Sequence, residues 1–344
     1  MIKNNLNFLN NIQKKNLDSK SIKKFTKLFP KILSKLFTDI NSSKKTLNTL
    51  NKKFNFNFEF KDLEKFKSFK TIAIIGMGGS ILGSEAVSHF LKEKINKKIY
   101  FFNDLNIKKI QNFKKKKNLD KVLFFVISKS GNTVETLSNF FILKIIKKNS
   151  KNIIIISEKK NNLLYSLSKK FNLFYIEHKN YIGGRYSVLS EVGIVPAYLM
   201  GININKLRSG SLKSLKKKTQ LFLKDSTIML SSLLSFKKIN NLIFLNYCPE
   251  LEKFLFWCQQ LIAESLGKNG KGFLPTISNA PKDHHSLLQL YLDGPKNKLF
   301  YIFSHEESSK EKINIKEILK EKNFLNNKTL NSIKKAQKNA LIKT

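Results

Sequence analysis

The sequence predicts an α/β protein: two doubly wound parallel-sheet lobes preceded by an N-terminal helical segment. Three observations predict it. Short runs of consecutive apolar residues recur from Thr71 onward, amphipathic stretches separate them, and the cycle begins again near residue 241. Unbroken apolar runs mark strands covered on both faces, and their alternation with helices marks βαβ units.

Residues 1–65 place Phe25, Leu28, Phe29, Ile32, Leu33 and Leu36 at helical spacing, which predicts a helical preface. A first domain over 66–200 follows, with strands predicted at 71–75 (TIAII), 99–102 (IYFF), 122–127 (VLFFVI), 152–156 (NIIII) and 173–176 (LFYI). Amphipathic stretches are predicted over 80–94 and from Thr133 to a helix end near Lys148. A helical connection over 201–240, within a mostly helical 187–235, is expected to link the lobes. The second domain, 241–344, opens with a strand at 241–245 (NLIFL), then a helix over 250–266, an irregular stretch to Asp283 and a strand at 299–303 (LFYIF). Only those two strands stand out before a helical, lysine-rich tail from about residue 310 to Thr344.

The 344 residues and 41% hydrophobic content suffice for cores in both lobes. A formal charge of +40 would ordinarily point to nucleic acid or an anionic membrane. Yet Arg185 and Arg208 are the only arginines among 64 basic residues. Lysine comes here with an excess of asparagine, isoleucine and phenylalanine, the residues of A/T-only codons. Selection for phosphate or base contacts would enrich arginine, whose planar fork matches both. Runs such as Lys114 to Lys117 and Lys216 to Lys218 therefore read as solvated faces or loops, and no specific nucleic-acid partner is expected.

Cys248 and Cys258 form neither a CxxC pair nor a disulfide framework, in keeping with a reducing cytoplasm. The opening Met1-Ile2-Lys3-Asn4-Asn5 has no apolar region with a cleavage site, and no run of about 18 apolar residues occurs. Neither secretion nor a membrane partner is expected.

Two strand-to-helix turns carry candidate chemistry. Gly76-Met77-Gly78-Gly79-Ser80 follows the strand 71–75, and such a glycine-rich turn frees backbone N–H groups and a positive helix end for an anion. It matches neither the usual GxGxxG spacing nor a Walker loop, and a tight packing turn would need the same glycines. Ser128-Lys129-Ser130-Gly131-Asn132-Thr133 follows the strand 122–127, with three hydroxyls able to donate to phosphate oxygens. Hydroxyls at a helix start also serve as N-caps. Two such turns at strand carboxyl ends lie where open α/β sheets bind ligands.

Arg185, in Gly183-Gly184-Arg185-Tyr186-Ser187, is retained where nearly every arginine has become lysine. A guanidinium among glycines suits a developing oxyanion; a structural ion pair is the alternative, and the reading assigned to Arg208. Glu264 lies seven residues after Trp257 on the predicted helix, at the margin of its apolar face, where a raised pKa would suit a general base. Of His284 and His285, which follow Asp283, at most one is expected to act directly. His89, His178 and His305 have no supporting context, and no metal cluster emerges from the five histidines and two cysteines.

In these motifs the chain resembles the glucose-6-phosphate isomerase family, whose fold is a pair of SIS (sugar isomerase) domains. The resemblance runs from about residue 70 to 303 through GMGGS (76–80), SKSGNT (128–133), GGRYS (183–187), QQLIAES (259–265) and DHHSLLQLYLDGP (283–295). It implies that Gly79, Ser80, Ser128, Lys129, Ser130 and Thr133 surround a sugar phosphate, Lys129 mainly through its backbone N–H. It also implies that Arg185 steadies an enediolate, that Gln260 helps to place Glu264, and that Glu264 moves the proton between C2 and C1. His285, at HxxxQ spacing from Gln289, would assist ring opening from the neighbouring subunit of a homodimer with shared active sites.

No organic cofactor or metal is implied. The family continues with further strands and a closing helix carrying a GVExxK-type lysine, so this chain, ending at Thr344, is expected to lack the C-terminal part. A non-catalytic sugar-phosphate sensor on the same fold would keep the serine turns but has no use for Glu264 and Arg185.

Overall fold

A computed structural model describes residues 7–12, 17–215, 217–236, 239–305, 311–315 and 323–344. Met1 to Asn5, Lys216 and parts of the expected tail lie outside the described residues. The chain divides into two compact units, Met1–Phe236 and Lys237–Thr344.

In the first unit α1 (Ser19–Asn41) and the short α2 (Phe60–Leu63) precede β1 (Thr71–Gly76), α3 (Leu82–Phe90), β2 (Lys98–Phe102), α4 (Ile107–Lys116), β3 (Val122–Ile127), α5 (Val134–Leu143), β4 (Ile153–Ser157), α6 (Leu163–Lys170) and β5 (Phe174–Glu177). Helices α7 (Glu191–Leu199), α8 (Ile204–Ser209) and α9 (Lys217–Phe236) follow, and α9 packs on α1. The parallel sheet has the order β2-β1-β3-β4-β5. Alternate residues of each strand feed opposite cores, as the two-residue period of a strand requires. Ile72, Ile74, Phe125, Ile154 and Ile156 meet Val192, Ile194 and Val195 of α7 on one face. Ala73, Ile75, Phe124, Val126 and Ile155 meet Phe113, Phe140 and Leu164 of α4, α5 and α6 on the other.

Two predicted helices are shorter than expected. The stretch 80–94 holds a helix only over Leu82–Phe90, and the helix expected to end near Lys148 stops at Leu143, where Lys144 turns left-handed at φ +53°. Lys114, Lys115 and Lys116 occupy the last turn of α4, where cations complement the helix dipole.

The second unit contains β6 (Asn241–Asn246), α10 (Glu252–Leu266), β7 (Leu274–Asn279), α11 (His284–Leu292), β8 (Lys298–Phe303) and α12 (Leu330–Lys343). Its parallel sheet runs β7-β6-β8. β7 lies within the stretch expected to be irregular, so this unit has a third strand. Leu-Pro-Thr-Ile-Ser-Asn mixes polar residues and a proline with its two apolar positions and so carries no run; Leu274 is 64% exposed, and Pro275 is tolerated because β7 is an edge strand. No described helix is long and apolar enough to cross a membrane.

The segment before β1 is stitched to the first unit by buried charge. Arg208, 8% exposed, donates to the carbonyls of Leu189 (2.6 Å), Thr49 (3.1 Å) and Asn51 (2.6 Å) and lies against the rings of Phe54 and Phe56. Its assigned structural role is therefore met through carbonyl oxygens. Glu191, fully buried, accepts from the backbone N–H of Asn57 (3.1 Å) and from Lys179 Nζ (2.9 Å), which also donates to Asn55 O and Asn57 Oδ1. Replacing Arg208 with Ala orphans three carbonyls and should cost about 2–4 kcal/mol in the unfolding of the first unit, read by urea denaturation. Arg208→Lys should recover only part of this, because a single ammonium cannot reproduce the fork.

Candidate active site

The chain passes from β1 to β2 on one side of β1 and then crosses to β3 on the other. β1 and β3 thus flank the point where the winding reverses, where open α/β sheets present their ligand crevice. Gly76 is in register with Ile127, which sets the turn 76–80 beside the turn 128–133.

In the first turn Gly78 adopts φ +52°, and Gly79 approaches another loop so closely that a Cβ there would lie 2.1 Å from the carbonyl carbon of Gly184 and 2.6 Å from the nitrogen of Arg185. The Ser187 hydroxyl bridges the two loops, 3.1 Å from Gly79 O and 2.7 Å from Gly184 O. Gly79 is therefore a packing glycine, and this packing brings the turn bearing Ser80 against the segment bearing Arg185. The Arg185 guanidinium lies over the Tyr186 ring, 4.6 Å from its centroid.

In the second turn three hydroxyls converge. Ser128 Oγ is 2.8 Å from Thr133 Oγ1 and 3.4 Å from Ser130 Oγ, and the last pair is 3.5 Å apart. Ser128 also accepts from the N–H of Gly131 at 3.1 Å. Thr133 occupies the N-cap position of α5, but its side chain makes no capping bond, so it belongs to the hydroxyl cluster. Gly131, at φ +72°, would drive a Cβ to 1.9 Å from Asn162 Oδ1. Asn162 caps α6 through Tyr165 N–H, and Asn132 Oδ1 accepts from Leu163 N–H, so the turn is braced against α6. Lys129 Nζ is engaged by Asn180 O (2.8 Å) and Glu158 (3.7 Å). Beside this pair His178 is buried, its Nδ1 3.0 Å from Lys179 O, and burial pushes its pKa down to about 4.

In the second unit Gln260 Nε2 donates to Glu264 Oε1 at 2.7 Å, one turn apart on α10. Glu264 is exposed and is not held against an apolar surface as expected. The helix buries Leu255, and a residue nine positions later lies half a revolution away at about 100° per residue. Of the adjacent histidines, His284 is half-buried with Nε2 2.9 Å from the Tyr247 hydroxyl, whereas His285 is exposed at the start of α11, one turn before exposed Gln289.

A model of the phosphoglucose isomerase family matches residues 34–280. The chain belongs to that family. It is 37% identical over 286 residues to a probable glucose-6-phosphate isomerase of Methanococcus maripaludis, covering 75% of this chain and 65% of the relative. It is 33% identical to a glucose-6-phosphate isomerase of Methanocaldococcus jannaschii, covering 76% of this chain and 67% of the relative. The chain thus spans about two thirds of these relatives. In fold it is similar to a hypothetical protein of Thermus thermophilus (TM-score 0.76, 22% identity, covering 94% of this chain and 83% of that one). It is also similar to a glucose-6-phosphate isomerase of Chlamydia trachomatis (TM-score 0.60, 16% identity, 83% of this chain and 66% of that one).

Within this phosphoglucose isomerase family chain, the first unit brings together Gly79, Ser80 and Arg185 in one loop pair and Ser128, Ser130 and Thr133 in the turn after β3. Sequence reading missed one constellation. His305, given no context, stands 2.9 Å from Cys248 Sγ, and Glu250 is 3.3 Å from the same sulfur, so a cluster with metal-ligating chemistry exists where none was expected. Cys248 and His305 are far apart in sequence and are joined only by the pairing of β6 with β8.

Gly79→Ala should force the two loops of the first unit apart, weakening binding of a phosphate anion at the crevice at least about tenfold while far-ultraviolet circular dichroism stays native; calorimetric titration with inorganic phosphate reads it. His178 gives a pH signature. Its folded pKa lies below the ordinary 6.5, so below that pH the unfolded chain takes up a proton the folded chain refuses. Stability should therefore fall as pH drops from 6.5 toward 4, by up to about 1.4 kcal/mol per unit, with a shallower slope in His178→Gln.

Proposed function

We propose that this chain carries the machinery of a glucose-6-phosphate isomerase, interconverting glucose 6-phosphate and fructose 6-phosphate through a cis-enediolate in the cytoplasm. The observation that carries the reading is the convergence of Ser128, Ser130 and Thr133 hydroxyls at the reversal point of the first sheet, with Thr133 free of capping duty. Three rotatable O–H groups match the acceptor oxygens of a phosphate monoester. Ser80, Gly79 and the backbone N–H of Lys129 complete the set.

With the phosphate held, chemistry falls to four side chains. His285 moves a proton between the ring oxygen and the C1 hydroxyl, opening the sugar. Glu264, oriented by the Gln260 amide, takes the proton from C2 as the electron pair shifts into the C1–C2 bond and C1 carbonyl oxygen becomes an enediolate oxygen. Arg185 lends that oxygen its positive charge. A proton passes from the C2 hydroxyl to the C1 oxygen, and return of the carbon-bound proton to C1 then leaves C1 reduced and C2 oxidised, so the reaction is balanced without an external electron carrier. The participation of His285 from a neighbouring subunit belongs to the same proposal and makes the working form a homodimer.

The test is a coupled assay of glucose 6-phosphate formed from fructose 6-phosphate. Glu264→Gln should lower kcat by at least about a hundredfold, as expected for loss of a general base, and normal turnover by this variant would refute the assigned base. Ser128→Ala and Thr133→Val should raise KM with kcat nearly unchanged, because phosphate contacts bind ground and transition states alike.

A further inference from the structure

We infer that Cys248, Glu250 and His305 form a binding site for one divalent metal ion of the zinc class, at the carboxyl edge of the second sheet. This inference is independent of the isomerase reading, which uses none of the three residues.

The second sheet winds like the first. From β6 the chain goes to β7 on one side and then to β8 on the other, so β6 and β8 flank its reversal point. Asn246 and Phe303 are the last paired residues. Cys248 and Glu250 follow β6, and His305 follows β8, so all three side chains rise from the edge at which sheets of this kind bind ligands.

The donor atoms lie within 4.8 Å of one another, with Cys248 Sγ 2.9 Å from His305 Nδ1 and 3.3 Å from Glu250 Oε2. Zinc bonds of about 2.0–2.3 Å to N, O and S imply donor separations of roughly 3.3–3.7 Å around a tetrahedral ion. Cys248 is buried and His305 and Glu250 are exposed, so adjustment to those separations falls to the two exposed side chains.

The chemistry of the trio favours the metal. The sulfur, the imidazole nitrogen and the carboxylate oxygen each offer a lone pair, and one cation can take all three at once. A soft thiolate, an imidazole and a carboxylate together select a borderline ion such as Zn2+ over Mg2+ or Ca2+, which prefer all-oxygen sites. Binding displaces the Cys248 proton to the solvent as the S–H bond breaks and the S–metal bond forms. Thiolate and carboxylate then bring two negative charges against Lys334 of α12, the cation whose field reaches both Cys248 and Glu250. Three protein ligands leave a fourth position for water, and the bound ion ties the segment after β8 to the segment after β6.

The experiment titrates chelator-treated full chain with Co2+ and then Zn2+. One equivalent of Co2+ should produce thiolate-to-cobalt charge transfer and the visible bands of a tetrahedral site, and Zn2+ should abolish both. His305→Ala, at an exposed position that leaves the fold intact, should weaken Zn2+ binding at least about tenfold by calorimetry. Cys248→Ser should remove the charge-transfer band, and Cys258→Ser should keep it. Absence of that band in the wild-type chain, its persistence in Cys248→Ser, or unchanged Zn2+ affinity in His305→Ala would overturn the proposal.

Discussion

No side chain fits between Gly79 and Gly184, and the first unit's candidate site depends on that contact. Atoms beyond Cα at position 79 would overlap the backbone of the 184–185 segment, so the glycine turn after β1 and the loop bearing Arg185 meet backbone to backbone. The same segment is pressed from two further directions. A Cβ at Gly83 would lie 2.8 Å from the Val188 side chain, and one at Gly193 would lie 2.1 Å from Val188 O. A short 3-10 segment, Gly184–Leu189, is thus gripped by the turn after β1, by α3 and by α7. What the glycines give up in helix propensity they return as placement of an arginine, and Ser187 secures the join through two carbonyls.

The buried charges reinforce the same segment. Arg208 takes the carbonyl of Leu189 at its end, while Glu191 and Lys179 bind the chain before β1 to the exit of β5. A buried ion pair seldom adds much net stability, because desolvation offsets attraction, but breaking it leaves an uncompensated charge. Its effect here is geometric: the route of residues 46–58 across the sheet edge is specified by donors and acceptors that no apolar contact would distinguish. Arginine therefore survives twice in this lysine-rich chain for different physical reasons, at 208 for a fork that reaches three carbonyls and at 185 beside the glycine loops.

What could be read from the residues followed their physical signal. Strands β1, β3, β4 and β6 are buried on both faces, so their apolar runs announce them without any partner being known. β7 escaped because Leu-Pro-Thr-Ile-Ser-Asn sets proline and polar residues between its apolar positions, which an edge strand tolerates, leaving no run to detect. The hydroxyl turn was visible because its members are within six residues of one another. Sequence alone does not separate a capping Thr133 from a clustered hydroxyl; the structure leaves it without a capping bond, with its hydroxyl facing Ser128. Glu264 shows the opposite limit: helical spacing placed it near an apolar margin through Trp257, but the helix in fact buries Leu255, and the phase of burial decides which side faces out.

The cluster of Cys248, Glu250 and His305 was illegible for a deeper reason, since strand register rather than spacing joins its members. Both sheets reverse their winding about their first strand, and polar side chains gather there, in the first sheet from the turn after β3 and in the second from the segments after β6 and β8. One collects hydroxyls, which suit a phosphate; the other collects a thiol, an imidazole and a carboxylate, which suit a cation. The winding determines where ligands can enter, and the loop residues determine which ligand does. A family resemblance carries the hydroxyl turn across because its motif is contiguous, whereas a site assembled across β6 and β8 emerges only when the strands are paired.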